Sequence, residues 1–322
     1  MPRPVASALA LALALAGCGS PGGGPVRIAL FRGEELTPLA ESLGHFAAEG
    51  APVELHELPS SSKAMEALFG GSVDVVAGGF DQAIRLAAQG RVARAFEVMM
   101  VRSPMALVAS PRARKPVRSV VDLSGATVGV SAFGSSGHNM VNLLLTRAGI
   151  APAAVNVIAT GGGHAVTVAA AEQGKVDAIV TLPASLAILR ARKPDLVVLA
   201  DGQTADGTRA IYGVDRYPAV CLMARPEWLS TNRDLAGKLA RAMIRTQRWV
   251  ASHTAEEFQR AARKGGGAPE ELPGFAATIA SVSPDGLMPP GGPEAARDAV
   301  AASLPEARAV DLAALHTAEA VR

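Results

Sequence analysis

The first hydrophobic feature is an apolar run over residues 5–16, preceded by a single basic residue, Arg3. It is shorter than the roughly 20 apolar residues a membrane-spanning helix needs, and it fits the hydrophobic stretch of a secretory signal. Past Pro25 the period changes. Residues 26–31, 52–58, 73–77 and 93–100 read as short strands, separated by amphipathic helical stretches at 36–48, 63–69 and 81–90. The pattern then restarts, with strands at 126–131, 154–159, 176–181 and 196–200 and helices at 135–148, 163–173 and 183–192. Strands alternating with helices predict an α/β chain of βαβ units with largely parallel sheets.

The two halves share a phrase. Ala-Met-Glu-Ala-Leu-Phe-Gly-Gly-Ser-Val-Asp at 64–74 parallels Val-Ala-Ala-Ala-Glu-Gln-Gly-Lys-Val-Asp at 168–177. In each, glycine ends a helix and Val-Asp opens a buried strand. This is an internal two-fold repeat, and about 300 residues are more than one core usually serves. Two lobes follow. Apolar runs at 105–109 and 219–224 read as the crossings between them, making a hinge and leaving lobe one discontinuous. Lobe one is then 26–105 plus 217–322 and lobe two 106–216. From Asn232 onward the chain is mostly helical, broken by Gly265-Gly266-Gly267 and by the Pro/Gly stretch 289–293.

Composition narrows the function. Leu15-Ala16-Gly17-Cys18 resembles the bacterial lipobox, which implies removal of residues 1–17, lipidation of Cys18 and a flexible tether over 18–25. The protein is then expected in the periplasm or on the cell surface, held to the membrane by lipid alone. A net charge of +2 with no basic cluster and interleaved aromatics gives no sign of a nucleic-acid partner. Cys221, the other cysteine, sits in an apolar strand and reads as a small buried hydrophobe. No His-x-x-x-His or paired cysteines suggest a metal, and no cofactor motif is present. Ser60-Ser61-Ser62-Lys63 spells Ser-x-x-Lys, but the Lys-Thr-Gly and Ser-Asp-Asn that should accompany it are missing, and 134–137 lack the Gly-x-Ser-x-Gly spacing. No residue is assigned a catalytic role.

Several motifs in order resemble one family. Leu43-Gly44-His45-Phe46-Ala47-Ala48-Glu49-Gly50 resembles the end of its first helix, and Ala67-Leu68-Phe69-Gly70-Gly71-Ser72-Val73-Asp74 its Ala-Leu-x-x-Gly-x-Val-Asp. Asp122-Leu123-Ser124-Gly125-Ala126-Thr127-Val128-Gly129 resembles the Asp-Leu-x-Gly-x-x-Val-Gly that opens the second lobe, and Gly174-Lys175-Val176-Asp177-Ala178 repeats the Gly-x-Val-Asp. The chain is similar, over roughly 26–250, to the periplasmic binding proteins of sulfonate, taurine, nitrate, bicarbonate and thiamine-precursor importers. The resemblance implies a type II periplasmic-binding fold and a monomeric receptor that delivers a small solute to an ABC permease and ATPase supplied in trans. It implies no enzyme, although the family includes a fungal enzyme that makes the thiamine pyrimidine; that enzyme's cysteine-rich signature is missing here. A sensor or an enzyme on the same two-lobe scaffold stays open as the alternative.

Ligands of open α/β sheets bind beyond the carboxyl ends of the strands. The loops expected there carry Arg32, Ser60, Ser61, Phe80 and Asp81 from lobe one, and Phe133, Ser135, Ser136, His138, Gly162, His164 and Thr181 from lobe two. Serines and glycines at helix starts favour an anionic group, sulfonate-, nitrate- or carboxylate-like; simple helix capping is the competing reading of each serine. Arg32 offers a bidentate clamp. Phe80 and Phe133 offer a sandwich for a flat heteroaromatic or aliphatic body, or plugs for their own lobes. His138 and His164 are candidate hydrogen-bond partners.

Overall fold

The computed structural model describes residues 24–264 and 274–321. Cys18, the signal segment, most of the tether and the Gly265–Gly267 break lie outside these residues. The chain forms two five-stranded sheets flanked by helices. Lobe one contains β1 (Val26–Phe31), β2 (Val53–Leu58), β3 (Val75–Gly78) and β4 (Arg94–Met100). Lobe two contains β5 (Ala106–Ala109), β6 (Thr127–Val130), β7 (Asn156–Ala159), β8 (Ala178–Thr181) and β9 (Val198–Asp201), after which β10 (Val220–Ala224) returns to the first sheet.

The strand orders are β2-β1-β3-β10-β4 and β7-β6-β8-β5-β9, the same order twice. The repeated phrase is therefore a repeated fold. Each sheet has four parallel strands and one antiparallel: β10 lies antiparallel to β3 and β4, and β5 to β8 and β9. The two antiparallel strands are the apolar runs that begin at the crossings. Each enters its sheet from the other lobe, hence from the opposite end. The crossings themselves are the loops 101–105 and 213–219, which run side by side, with the Tyr217 N–H donating to the Val101 carbonyl (2.8 Å) and the Ala219 N–H to Met100 (3.0 Å).

The Val-Asp phrase has a physical role in both lobes. Asp74 and Asp177 sit just before β3 and β8 and accept from the backbone N–H at the start of the neighbouring strand, Arg27 (3.1 Å) and Thr127 (2.8 Å). Each carboxylate fixes where its central strands begin.

Lobe one has helices α1 (Leu36–Ser42), α2 (His45–Ala48), α3 (Ser61–Gly70) and α4 (Phe80–Ala87). The single helix expected over 36–48 breaks at Gly44, whose φ of 71° is open to glycine at little cost. Lobe two has α5 (Ser136–Arg147), α6 (His164–Glu172), α7 (Pro183–Arg192) and α8 (Ala205–Tyr212). The C-terminal part adds α9 (Pro226–Thr231), α10 (Arg233–Ser252), α11 (Ala255–Lys264), α12 (Phe275–Ser281) and α13 (Gly292–Ala301). Helix α10 packs on α1, α2 and β4, which enlarges lobe one. Helix α13 reaches across from α4 to α5, and α12 touches α7. Among the described residues no helix is long and apolar enough to cross a membrane.

Candidate functional site

The strand-to-helix loops of the two lobes face each other across a cleft of about 710 Å³, counting its open mouth. The crossings form its floor, through Pro104, Met105, Ala219 and Val220. Five helices end their first turns on it: α3 with Ser60 and Ser61, α4 with Gly79, α5 with Ser135 to Gly137, α6 with Gly162, Gly163 and Thr167, and α7 with Leu182 and Ser185. Free N–H groups and helix dipoles therefore converge on the cleft, an arrangement that favours negative charge. Among the described residues Arg32 is its one charged lining residue, and no carboxylate lines it.

Eight hydroxyl residues line the cleft, and their hydrogen bonds divide them. Ser60 and Ser135 cap α3 and α5, accepting the N–H three residues on at 3.3 Å in both cases. Thr181 donates to the Ala106 carbonyl (3.2 Å), and Ser185 pairs with His164 Nδ1 (3.0 Å). Ser136 donates to Asp81 Oδ1 across the lobes (2.6 Å). The hydroxyls of Ser61, Ser131 and Thr167 show no hydrogen bond among the described residues and remain available to a guest. Beside them, Gly161, Gly162 and Gly163 have φ of 90°, 70° and 86°, conformations that side chains rarely adopt. Glycine is also required by space: a Cβ on Gly162 would collide with the Pro59 carbonyl oxygen, and one on Gly163 would lie 2.7 Å from Arg32 Cδ.

The loops place the other predicted residues differently. Phe80 is fully buried in the core of lobe one, its ring edge-on to His316, and never reaches the cleft. Phe133 is 61% exposed, does not line the cleft and packs against His138. No aromatic sandwich forms, because the first residue of α4 turns inward and its counterpart turns out. Asp81 lies behind the cleft wall, 2% exposed, as the hub of contacts between the lobes. His138 accepts the Gly134 N–H through Nδ1 (2.9 Å) and does not line the cleft. His164 borders it through Ser185, with its Nε2 3.4 Å from the place a Cβ would take on Gly33. Burial lowers both imidazoles below their ordinary range, for His138 helped by the charge of Arg85 and for His164 opposed by Glu57. Arg32 pairs at the rim with Glu57 (3.0 Å), both side chains about half exposed.

Sequence reasoning put Ser131 at the start of a cleft loop without naming it a site residue, and missed Thr167 and Ser185. The last two follow their N-caps by four and three residues, so polar positions one turn inside an apolar helix were the available signal. It also missed the apolar wall, which Phe31, Val180 and Leu182 complete. The Ser-x-x-Lys phrase is structural: Ser60 caps α3 and Lys63 pairs with Glu66 (2.7 Å) in solvent. Cys221 is fully buried, and that burial pushes its thiol well up, away from the reactive thiolate.

Comparison with known proteins gives the scaffold a family. A protein of Bordetella bronchiseptica RB50 has a similar structure, with a TM-score of 0.81 and 29% identity over 92% of this chain and 96% of that one. The alkanesulfonate-binding protein SsuA of Xanthomonas axonopodis pv. citri, bound to MOPS, follows with a TM-score of 0.70 and 16% identity over 92% and 100%. The periplasmic aliphatic sulphonate-binding protein SsuA of Escherichia coli gives 0.58 and 21% over 87% and 86%. The shared architecture is the two-lobe periplasmic-binding-protein fold. No curated protein matches this chain in sequence. The model of the NMT1/THI5-like family matches residues 37–257, most of the chain, and the protein belongs to that family.

Proposed function

We propose that this protein is an extracytoplasmic receptor that captures a small organic anion between its lobes and delivers it to an ABC importer. The observation that carries the reading is the lining of the cleft: helix N-termini, unengaged hydroxyls, one arginine and no carboxylate. The anionic head belongs at the α3 and α6 side, against Ser61, Ser131, Thr167 and the Gly162–Gly163 N–H groups. The α5 side has Ser136 already turned to Asp81. Three or four charge-assisted hydrogen bonds at about 1.5–3 kcal/mol each supply much of the roughly 8 kcal/mol that micromolar capture needs.

The remaining wall, Phe31, Pro59, Pro104, Met105, Val180, Leu182, Ala219 and Val220, is apolar and suits a short aliphatic body. Bare nitrate or bicarbonate would leave it unfilled, and a flat heteroaromatic finds a single aromatic side chain, Phe31, with no second ring lining the cleft among the described residues. Two structural neighbours are described as sulfonate-binding proteins, which supports short alkanesulfonates as the first trial. Lipidation at Cys18 would keep the receptor beside its permease, and hinge bending at the two crossings would open and close the cleft.

A thermal-shift screen of alkanesulfonates, carboxylates, nitrate and pyrimidines tests the reading, since a ligand of the native state raises its melting temperature. A short alkanesulfonate or carboxylate should stabilise the protein, and Ser61→Ala and Arg32→Ala should each weaken it about tenfold, equivalent to about 1.4 kcal/mol. Stabilisation by pyrimidines alone would overturn the anion reading. Ester hydrolysis abolished by Ser185→Ala would favour an enzyme, for which the Ser185–His164 pair is the foothold in the cleft among the described residues.

A further inference from the structure

Beside the ligand cleft the lobes are joined by a compact polar cluster centred on a buried acid. Asp81, on the first turn of α4, takes the Ser136 hydroxyl on Oδ1 (2.6 Å) and the Asn139 amide on Oδ2 (2.5 Å), both from α5 of the other lobe. Two more bonds cross at the same place. Gln82 Nε2 donates to the Gly134 carbonyl (2.9 Å), and an Arg85 Nη2 donates to Asn139 Oδ1 (2.5 Å). The same Arg85 nitrogen reaches Ser303 Oγ (3.0 Å), beyond the end of α13, which itself packs on both α4 and α5. Asp81, Gln82, Ser135 and Asn139 are all buried.

We propose that Asp81 is a built-in anion that clasps the two lobes together, so that the receptor closes without ligand and the guest's own charge is confined to the α3–α6 side of the cleft. The carboxylate occupies the N-terminal end of α5, where an external anion would otherwise bind. Burial pushes the Asp81 carboxyl up, but the Ser136 and Asn139 donors and the charge of Arg85 oppose that rise, and a buried carboxylate that loses such donors is costly. Opening the lobes therefore means rehydrating Asp81, Asn139 and Arg85 together. Gly79 permits the close approach. Its φ of −68° and ψ of 134° are ordinary for any residue, yet a Cβ there would collide with Ser136 Oγ and Asp81 Oδ1. Glycine at this position is needed for the clasp, not for the backbone of the loop.

The inference takes the cleft from the functional reading, but its test uses the empty protein, so failure to find a ligand leaves it standing. Single-molecule energy transfer between dyes on cysteines introduced at Glu66 of lobe one and Ala165 of lobe two reports the separation of the lobes. Ligand-free protein should show a dominant short-distance population. Asp81→Ala and Gly79→Ala should each reduce it several-fold, and Gly79→Ala should do so with a melting temperature near that of the parent. If Asp81→Ala does not fold, Gly79→Ala decides alone. A parent that is mainly open without ligand, or a folded Gly79→Ala protein that keeps the short-distance population, would overturn the clasp.

Discussion

Each lobe opens its third strand with an aspartate, but the two aspartates hold different amounts of structure. Asp177 of lobe two accepts two backbone donors, Arg114 N–H (2.8 Å) and Thr127 N–H (2.8 Å), along with the Arg114 guanidinium. Asp74 of lobe one accepts one backbone donor, Arg27 N–H, and the Arg27 guanidinium. In both, desolvation alone would raise the carboxyl, and the arginine and backbone hydrogen bonds hold it below its ordinary range. The rest of lobe one behaves otherwise. Its Glu34 and Glu97 are buried with no ion pair among the described residues, whereas Asp177 is the only buried acid of lobe two. The same fold, used twice, buries an acid beside an arginine in one lobe and acids without an ion pair, pushed toward the neutral form by burial, in the other.

The largest effect should come from cutting these clamps. Asp177→Ala orphans the buried Thr127 N–H and the part-buried Arg114 N–H, and Asp74→Ala the part-buried Arg27 N–H, at up to about 1–3 kcal/mol for a donor left unsatisfied and less where water can reach it. Urea unfolding should show a loss of about 1–3 kcal/mol or more for Asp177→Ala and a smaller one, about 1 kcal/mol, for Asp74→Ala. Equal losses would mean that the guanidinium pairing, common to both, is what matters.

The next effect is on pH dependence, and it belongs to lobe one. Burial pushes Glu97 up to about 8, opposed by the Gln247 amide and assisted by Glu34, and pushes Glu35 up to about 7. An acid raised above its ordinary 4.5 binds more protons folded than unfolded. Its contribution is complete below pH 4.5 and is lost as pH rises through 7 and 8. Each such group removes up to about 1.4 kcal/mol per pH unit over that window. Asp74 and Asp177 act in the opposite sense, stabilising above their ordinary range and losing that contribution in acid. Melting temperature should therefore fall from about pH 5 to about pH 8. Glu97→Gln, which mimics the neutral acid, should flatten that fall; an unchanged slope would show that Glu97 is not the group responsible.

How much of this could be read from the sequence follows from what each signal depends on. Strand and helix order, the two-fold repeat and the lobes rest on apolar periodicity and on glycines at helix ends, which are local, and they were legible. So were the helix-start serines of the cleft. The destination of Asp81 and Phe80 was not. Both begin α4, and whether a first-turn side chain faces ligand, core or the opposite lobe depends on the helix's rotation against α5 and α13, which no local pattern records. The antiparallel return of β5 and β10 was hidden for the same reason, since a short apolar run looks alike in either direction.

The smallest effect compares two serines that look equivalent. Ser60 and Ser135 cap α3 and α5 with the same geometry, so alanine at either should cost about 1 kcal/mol of stability. Ligand binding should separate them. The α5 end is shared with Ser136, whose hydroxyl is committed to Asp81, so an incoming anion gains little there. The α3 end has no internal acid and lies beside the unengaged Ser61, and the Ser60 hydroxyl keeps its own proton to donate. Titration calorimetry with the anion that stabilises the protein should find binding weakened about tenfold in Ser60→Ala, about 1.4 kcal/mol. Ser135→Ala should bind within about twofold of the parent, under 0.5 kcal/mol. The reverse order would place the anionic head at α5, and Asp81 could then no longer be the charge that fills that end of the cleft.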